Sequence, residues 1–269
     1  MSERTSRQSF LGPNSDHIIQ SATVGVVGLG GGGSHVVQQL AHIGFQNYVI
    51  YDHDVIEDSN LNRLIGGTVA DVKEKLLKIR IAERVIKGLQ PTASVKAVPS
   101  RWQDDHLPLR TCDILFGCVD GFAERRELEI VARRYLIPLI DIGMDVQPTV
   151  EGQPPRIGGQ VILSMPGDLC MACLGFLNEK TLAKEAARYG AVGSKPQVVW
   201  PNGVLASTAV GIAVDLLTDW TRSLRRSVYL SYDGNSHTMQ PHVRLQFLKG
   251  ATCSHFPLEN VGDPVFKAL

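Results

Sequence analysis

The chain has 269 residues, 43% of them hydrophobic, and its 27 lysines and arginines balance 27 aspartates and glutamates to a formal net charge of zero. That length suits one large α/β domain or a domain with a sizeable insertion, and the balance supplies no global basic field to draw the chain to nucleic acid or an anionic membrane. Residues 1–9 lack the apolar core of a signal peptide, no uninterrupted apolar run is long enough to span a bilayer, and five cysteines, two of them in Cys170-Met171-Ala172-Cys173, favour thiol or metal chemistry in a reducing compartment, so a soluble cytoplasmic protein is expected.

In chain order, Thr23–Val27 reads as a short, buried β-branched strand and residues 34–43 as a helix. Between them, Gly28-Leu29-Gly30-Gly31-Gly32-Gly33 allows a tight turn and close approach of backbone N–H groups to a phosphate, with the helix N-terminus adding a favourable dipole. By itself such a loop serves NAD or FAD equally well. About twenty residues on, the strand Asn47–Tyr51 runs into Asp52-His53-Asp54, carboxylates suited to ribose hydroxyls. Ser59-Asn60-Leu61-Asn62-Arg63 follows directly, and no dinucleotide enzyme needs it. The combination points to ATP.

A helix over residues 72–87 is predicted from apolar Leu76, Ile79, Ala82, Val85 and Ile86, followed by strands at Ser94–Val98, 114–118 and 139–142 and a helix over 122–135. Such alternation predicts a parallel, doubly wound, Rossmann-like α/β sheet. Ligands bind outside the carboxyl ends of its strands, where the glycine loop, Asp52 and Asp120 all fall. In the second half, residues 159–164 and 228–232 read as strands, and 242–247 alternates like a half-exposed antiparallel strand beyond the turn Asp233-Gly234-Asn235. Residues 191–202 read as a mobile loop, 203–217 as a largely buried helix, and the tail beyond Pro257 as irregular.

Together these residues resemble the ThiF/MoeB/HesA family, bacterial relatives of ubiquitin-activating enzymes, from about Arg4 to His255. Arg4-Thr5-Ser6-Arg7-Gln8 is similar to the family's N-terminal Arg-x-x-Arg-Gln, and Gly28-x-Gly30-Gly31-x-Gly33 to its nucleotide loop. Asp52-His53-Asp54 with Ser59-Asn60-Leu61-Asn62-Arg63 resembles its acidic strand end and Ser-Asn-Leu-x-Arg motif. Lys78 stands thirteen residues before Pro91, where the family places its nucleotide lysine, and Val119-Asp120 with Arg125 resembles its Thr-Asp-Asn-x-x-x-Arg segment. The resemblance implies a single adenylation domain over 1–269. Its nucleotide-binding half spans about 20–145, and its crossover loop and antiparallel strands about 146–256.

The implied reaction is adenylation of a protein or peptide C-terminus, above all the terminal glycine carboxylate of a ubiquitin-like or sulfur-carrier protein. Arg63 and Lys78 would neutralise the β- and γ-phosphates, Asp120 would hold Mg²⁺, Asp52 and Asp54 form the ribose-side acidic pair, and Asn60 would donate to the triphosphate. Arg7 would reach the ATP of a neighbouring subunit, which implies a homodimer. Each role has a bland rival: Lys73, Lys75 and Arg80 compete with Lys78 as a solvated helix face, Arg125 has Arg126 beside it, and Arg7 sits in a polar tail.

Cys170 and Cys173 stand where the family carries the first half of a structural zinc site, and Cys253-Ser254-His255 replaces its second Cys-x-x-Cys. Three thiolates and one imidazole make an acceptable tetrahedral zinc shell, with a pair of buried thiols as the alternative. Residues 182–204 contain no cysteine to take the activated carboxyl, and Cys112 and Cys118 do not resemble the family's nucleophile. That favours stopping at the acyl-adenylate or handing it to a thiol on another protein. Adenylation of a peptide terminus or of a tRNA nucleoside carboxylate, and a non-catalytic nucleotide-binding scaffold, remain alternatives; an NAD-dependent oxidoreductase ranks last.

Overall fold

The strands owe their burial to a strict period of two, which sends neighbouring residues to opposite faces of one sheet. Val24, Val26, Tyr48, Ile50, Ile114, Phe116, Ile140 and Ile142 join one apolar cluster. Val27, Val49, Tyr51, Leu115 and Leu139 join another on the reverse face. Sheets covered on both sides in this way are characteristic of parallel α/β architecture. The structure, a computed structural model, describes residues 3–147, 153–188, 196–223, 226–256 and 262.

Strands β1 (Thr23–Val27), β2 (Asn47–Tyr51), β3 (Ser94–Val98), β4 (Ile114–Gly117) and β5 (Leu139–Gln147) run parallel in the spatial order β3-β2-β1-β4-β5. Antiparallel β6 (Arg156–Ser164), β7 (Val228–Asp233) and β8 (Thr238–Pro241) extend the same eight-stranded sheet beyond β5. The parallel first half and antiparallel second half are those expected. The chain order reverses between β1 and β4, and a crevice opens there at the carboxyl ends of both strands.

Helices α1 (Ser15–Ser21), α2 (Gly31–Ile43), α3 (Val69–Lys73), α4 (Lys78–Leu89) and α5 (Phe122–Arg134) accompany the first half, and α6 (Glu179–Arg188) and α7 (Val199–Thr218) the second. Val36, Val37 and Leu40 of α2, Ile79, Ala82 and Ile86 of α4, and Leu205 to Val214 of α7 cover the first face. Leu128, Val131 and Ala132 of α5 cover the other, together with Trp102 and Leu109. Each valine, leucine or isoleucine among these contributes about 1.5–3 kcal/mol when withdrawn from water.

Three sequence readings need correction. The helix expected over 72–87 is two helices, because Thr68 and Asp71 form a capping box that starts α3, the chain reverses at Lys75 (φ 51°), and Leu77 pairs with Val55 before α4 begins. Residues 242–247 are not a strand: Pro241 ends β8, and the His242 side chain accepts from the Arg244 N–H at the head of a 3-10 helix, Val243–Phe247. The turn Asp233-Gly234-Asn235 does form, with the Asn235 N–H donating to the Asp233 carboxylate at 2.9 Å. Of the loop expected over 191–202, residues 191–195 lie outside the described residues, as do 257–261, and Val199 to Asn202 belong to α7. By length and composition alone α7 is, among the described residues, a helix that could cross a bilayer, but Pro201, Asn202 and Asp215 interrupt it, so it is not the uninterrupted apolar run whose absence was expected. Here Leu205, Ala206, Ala209, Val210 and Ala213 bury it against α2 and the sheet.

Candidate functional site

The crevice begins where β1 ends. Gly28 adopts φ +87°, and a Cβ there would stand 2.6 Å from the Cys118 carbonyl oxygen; one on Gly33 would stand 1.8 Å from the Gly28 carbonyl oxygen. Only glycine lets the loop pack this tightly between the ends of β1 and β4. Helix α2 starts at Gly31, inside the glycine run, so the first-turn amides, which lack intrahelical acceptors, belong to Gly31, Gly32 and Gly33. Gly28, Gly30, Gly31 and Gly32 line an open crevice of about 380 Å³.

Asp52, just beyond β2, is 9% exposed and anchors this loop. Its two carboxylate oxygens accept the Leu29 N–H at 2.7 Å and the Asp54 N–H at 2.8 Å. Burial raises its carboxyl above the ordinary range, opposed by those two amides. A carboxylate has about four acceptor sites, so capacity remains for hydroxyl donors. Asp54 pairs with the Lys78 ammonium at 2.8 Å, and both face the crevice. Lys78 opens α4, and its helical rivals Lys73, Lys75 and Arg80 are exposed and line no part of the crevice.

Arg63 also lines the crevice, its guanidinium donating to the Ser59 carbonyl at 2.6 Å and to the Asn62 side chain at 3.0 Å. Asn62 in turn donates to the Gln197 carbonyl at 2.9 Å, bracing the turn against the segment ahead of α7. Asn60 does not face the crevice. It is 7% exposed, accepts the Glu57 N–H on its side chain at 3.1 Å, and its carbonyl accepts the Arg63 N–H at 3.0 Å. Its role here is to shape the turn that presents Arg63. Asp120 lines the crevice from the segment after β4. Arg7 is exposed on a 3-10 helix, Glu3–Leu11, and lies outside the crevice of its own chain.

Further residues line the crevice, and of these only Arg125 is singled out in the sequence. Arg125 is no surface pair with Arg126: it is 6% exposed, ion-paired with Asp141, and donates to the carbonyls of Val119 and Ile142. Asn202, 5% exposed in the first turn of α7, stands so close to Gly31 that a Cβ there would meet its amide nitrogen at 2.6 Å. The sequence places Asn202 in a loop ahead of the helix and carries no signal for this contact. Trp102, Glu124 and Gln160 also line it.

Away from the crevice, the ligand atoms of Cys170, Cys173, Cys253 and His255 lie within 4.8 Å of one another. Cys170 and Cys173 sulfurs are 3.6 Å apart, Cys173 and Cys253 sulfurs 3.6 Å, and His255 Nδ1 lies 3.5 Å and 3.3 Å from the first two. Tetrahedral zinc with bonds of about 2.3 Å to sulfur and 2.0 Å to nitrogen needs edges of about 3.5–3.8 Å, so this donor set fits that ion. Burial, then the Glu129 charge, pushes the Cys170 thiol up. Glu129 and Arg133 of α5 hold the cluster's first loop from beneath. Glu129 accepts the Met171 N–H at 2.9 Å, Arg133 donates to the Asp168 and Leu169 carbonyls at 3.0 Å each, and its guanidinium lies 4.8 Å from the Phe256 ring centroid.

Residues 3–254 match the ThiF family. This chain belongs to the ThiF family. It is 30% identical over 233 residues to the SAMP-activating enzyme E1 of Haloferax volcanii, which spans 86% of this chain and 79% of that one. It is 33% identical over 128 residues to the sulfur carrier protein adenylyltransferase of Thermus thermophilus, 46% of each chain. In fold, this ThiF-family chain is similar to E. coli MccB crystallised with AMPCPP and selenomethionine MccA, at a TM-score of 0.72 and 18% identity, covering 89% of this chain and 71% of that one.

Proposed function

We propose that this chain activates the C-terminal glycine carboxylate of a ubiquitin-like or sulfur-carrier protein by ATP-dependent adenylation. The observation that carries this reading is the gathering of Arg63, Lys78, Asp52 and Asp120 with the glycine loop around one crevice at the sheet's switch point. A carboxylate oxygen attacks the α-phosphorus, the bond to the bridging β-oxygen breaks, and acyl-adenylate and pyrophosphate result. Because attacker and target are both anionic, fixed positive charge is the protein's main contribution. Arg63 and Lys78 supply it to the β- and γ-phosphates, the first-turn amides of α2 receive a phosphate, and Asp52 accepts from the ribose hydroxyls. Asp120 would hold Mg²⁺, which supplies further charge neutralisation on phosphate oxygens when bound.

In this reading the protein is a cytoplasmic homodimer in which Arg7 serves the neighbouring subunit's crevice, and zinc at Cys170, Cys173, Cys253 and His255 ties the C-terminal segment to the rest of the fold. The acyl-adenylate is the end product or passes to a thiol on another protein. Burial pushes the Cys112 thiol up to about 12 and raises Cys118 likewise, and the other three cysteines stand in the metal cluster. Exchange of labelled pyrophosphate into ATP tests the reading. Stimulation by a small protein ending in Gly-Gly is expected. Stimulation by a free peptide alone would move the substrate to a peptide terminus, and ATP binding without exchange by any partner would leave a scaffold.

A further inference from the structure

One wall of the crevice has no part in the phosphate chemistry. Trp102, 2% exposed, donates its indole N–H to Glu124 Oε1 at 2.9 Å, joining the segment after β3 to the first turn of α5. Val27, Tyr51, Trp102 and Val119 line the crevice and belong to one apolar cluster, which gives it an apolar floor. Among the described residues, Trp102 is the one hydrogen-bond donor to Glu124, and no cation pairs with it at ion-pair distance. Burial raises its carboxyl, with the Trp102 bond and the Arg101 charge opposing. A desolvated acceptor of this kind gains most from a donor that a ligand brings.

The position of that acceptor matters. With phosphates at the start of α2 and the ribose at Asp52, the base of a nucleotide lies past the ribose, over this floor. An apolar floor with the Glu124 carboxylate in the same lining suits a purine with an exocyclic amine. We infer that Glu124, oriented by Trp102, accepts a hydrogen bond from the 6-amino group of adenine and so selects ATP over purine nucleotides without that amine. The inference rests on the ATP reading above. A 6-oxo purine would set its carbonyl oxygen against the carboxylate, acceptor against acceptor, which rejects it.

Equilibrium binding of ATP, purine riboside triphosphate (no 6-substituent) and inosine triphosphate (6-oxo) to the full chain tests this. Wild type is expected to hold ATP about 10- to 100-fold more tightly than purine riboside triphosphate. Glu124→Leu is expected to bring that ratio near one, with affinity for the unsubstituted purine held within about threefold. Glu124→Gln, whose side-chain amide can donate, is expected to raise inosine triphosphate affinity relative to ATP. Trp102→Phe, which removes the orienting N–H and keeps the packing, should lower the ATP preference without abolishing it. If both Glu124 variants keep the wild-type ratios, the inference is overturned while ATP binding stands. If wild type binds none of the three, the ATP reading itself fails and takes the inference with it.

Discussion

The Lys78 ammonium lies 2.8 Å from the Asp54 carboxylate while the Lys78 backbone N–H donates to the Asp54 carbonyl at 2.9 Å, so one residue pair joins the segment after β2 to the start of α4 twice. The lysine side chain is 12% exposed and the aspartate 53%. Lys78 is thus aimed before any ligand arrives. Lys78→Ala is expected to slow pyrophosphate exchange by about 10²- to 10³-fold, the scale for losing one charge-stabilising group. Asp54→Asn removes only a half-exposed partner and should cost no more than about fivefold. Equal losses in the two variants would show that Asp54 does more than orient the lysine.

The glycine loop gives a sharper structural test. Gly28→Ala places a Cβ at φ +87° and 2.6 Å from the Cys118 carbonyl oxygen, both unfavourable. A loss of about 1–3 kcal/mol is expected, read by denaturant unfolding with and without ATP. Gly30→Ala, where a Cβ meets nothing within 4 Å, should leave stability almost unchanged.

For the metal cluster, about one zinc per chain is expected by elemental analysis, with strong chelators lowering the midpoint of thermal unfolding. Arg133→Met keeps bulk and removes the donors to the Asp168 and Leu169 carbonyls and to Ser164. Zinc affinity in that variant should fall about 10- to 100-fold, read as faster transfer to a metallochromic chelator, although no ligand has changed. Acid should release the ion, since thiolates and neutral imidazole must be present to bind it.

Asp71 links stability to pH. It accepts from the Thr68 N–H and hydroxyl and from both Arg84 guanidinium nitrogens, and the Arg84 bonds hold its carboxyl well below the usual carboxylate range. A depressed folded value means stability that is fully present above the unfolded value of about 3.9 and is lost as pH falls through the lower folded value. Asp71→Ala should cost about 1–3 kcal/mol at neutral pH and remove that share of the acid dependence, measured by urea unfolding from pH 7 to pH 3. Because the capping box sets the break between α3 and α4, ATP affinity should weaken as Lys78 loses its register.

The sequence by itself determined whatever depends on near neighbours along the chain. Thr23–Val27 and Asn47–Tyr51 form strands at the bounds their β-branched and aromatic residues predict, and the glycine run turns where a Cβ has no room. Asp52, Arg63, Lys78 and Asp120 reach one crevice because a doubly wound sheet brings the carboxyl ends of its strands together. Only the tertiary structure decided which polar groups are buried and with whom. Arg125 and Arg126 are adjacent arginines that only the motif resemblance tells apart in sequence, and Asp141, on the sheet face that α5 covers, pairs with the first. Asn60 turns inward to hold Glu57 rather than outward, Lys75 breaks a helix that periodicity would continue, and Trp102 meets Glu124 through packing between β3 and α5. These choices rest on desolvation and on partners distant in sequence, two quantities that no local pattern of residues encodes.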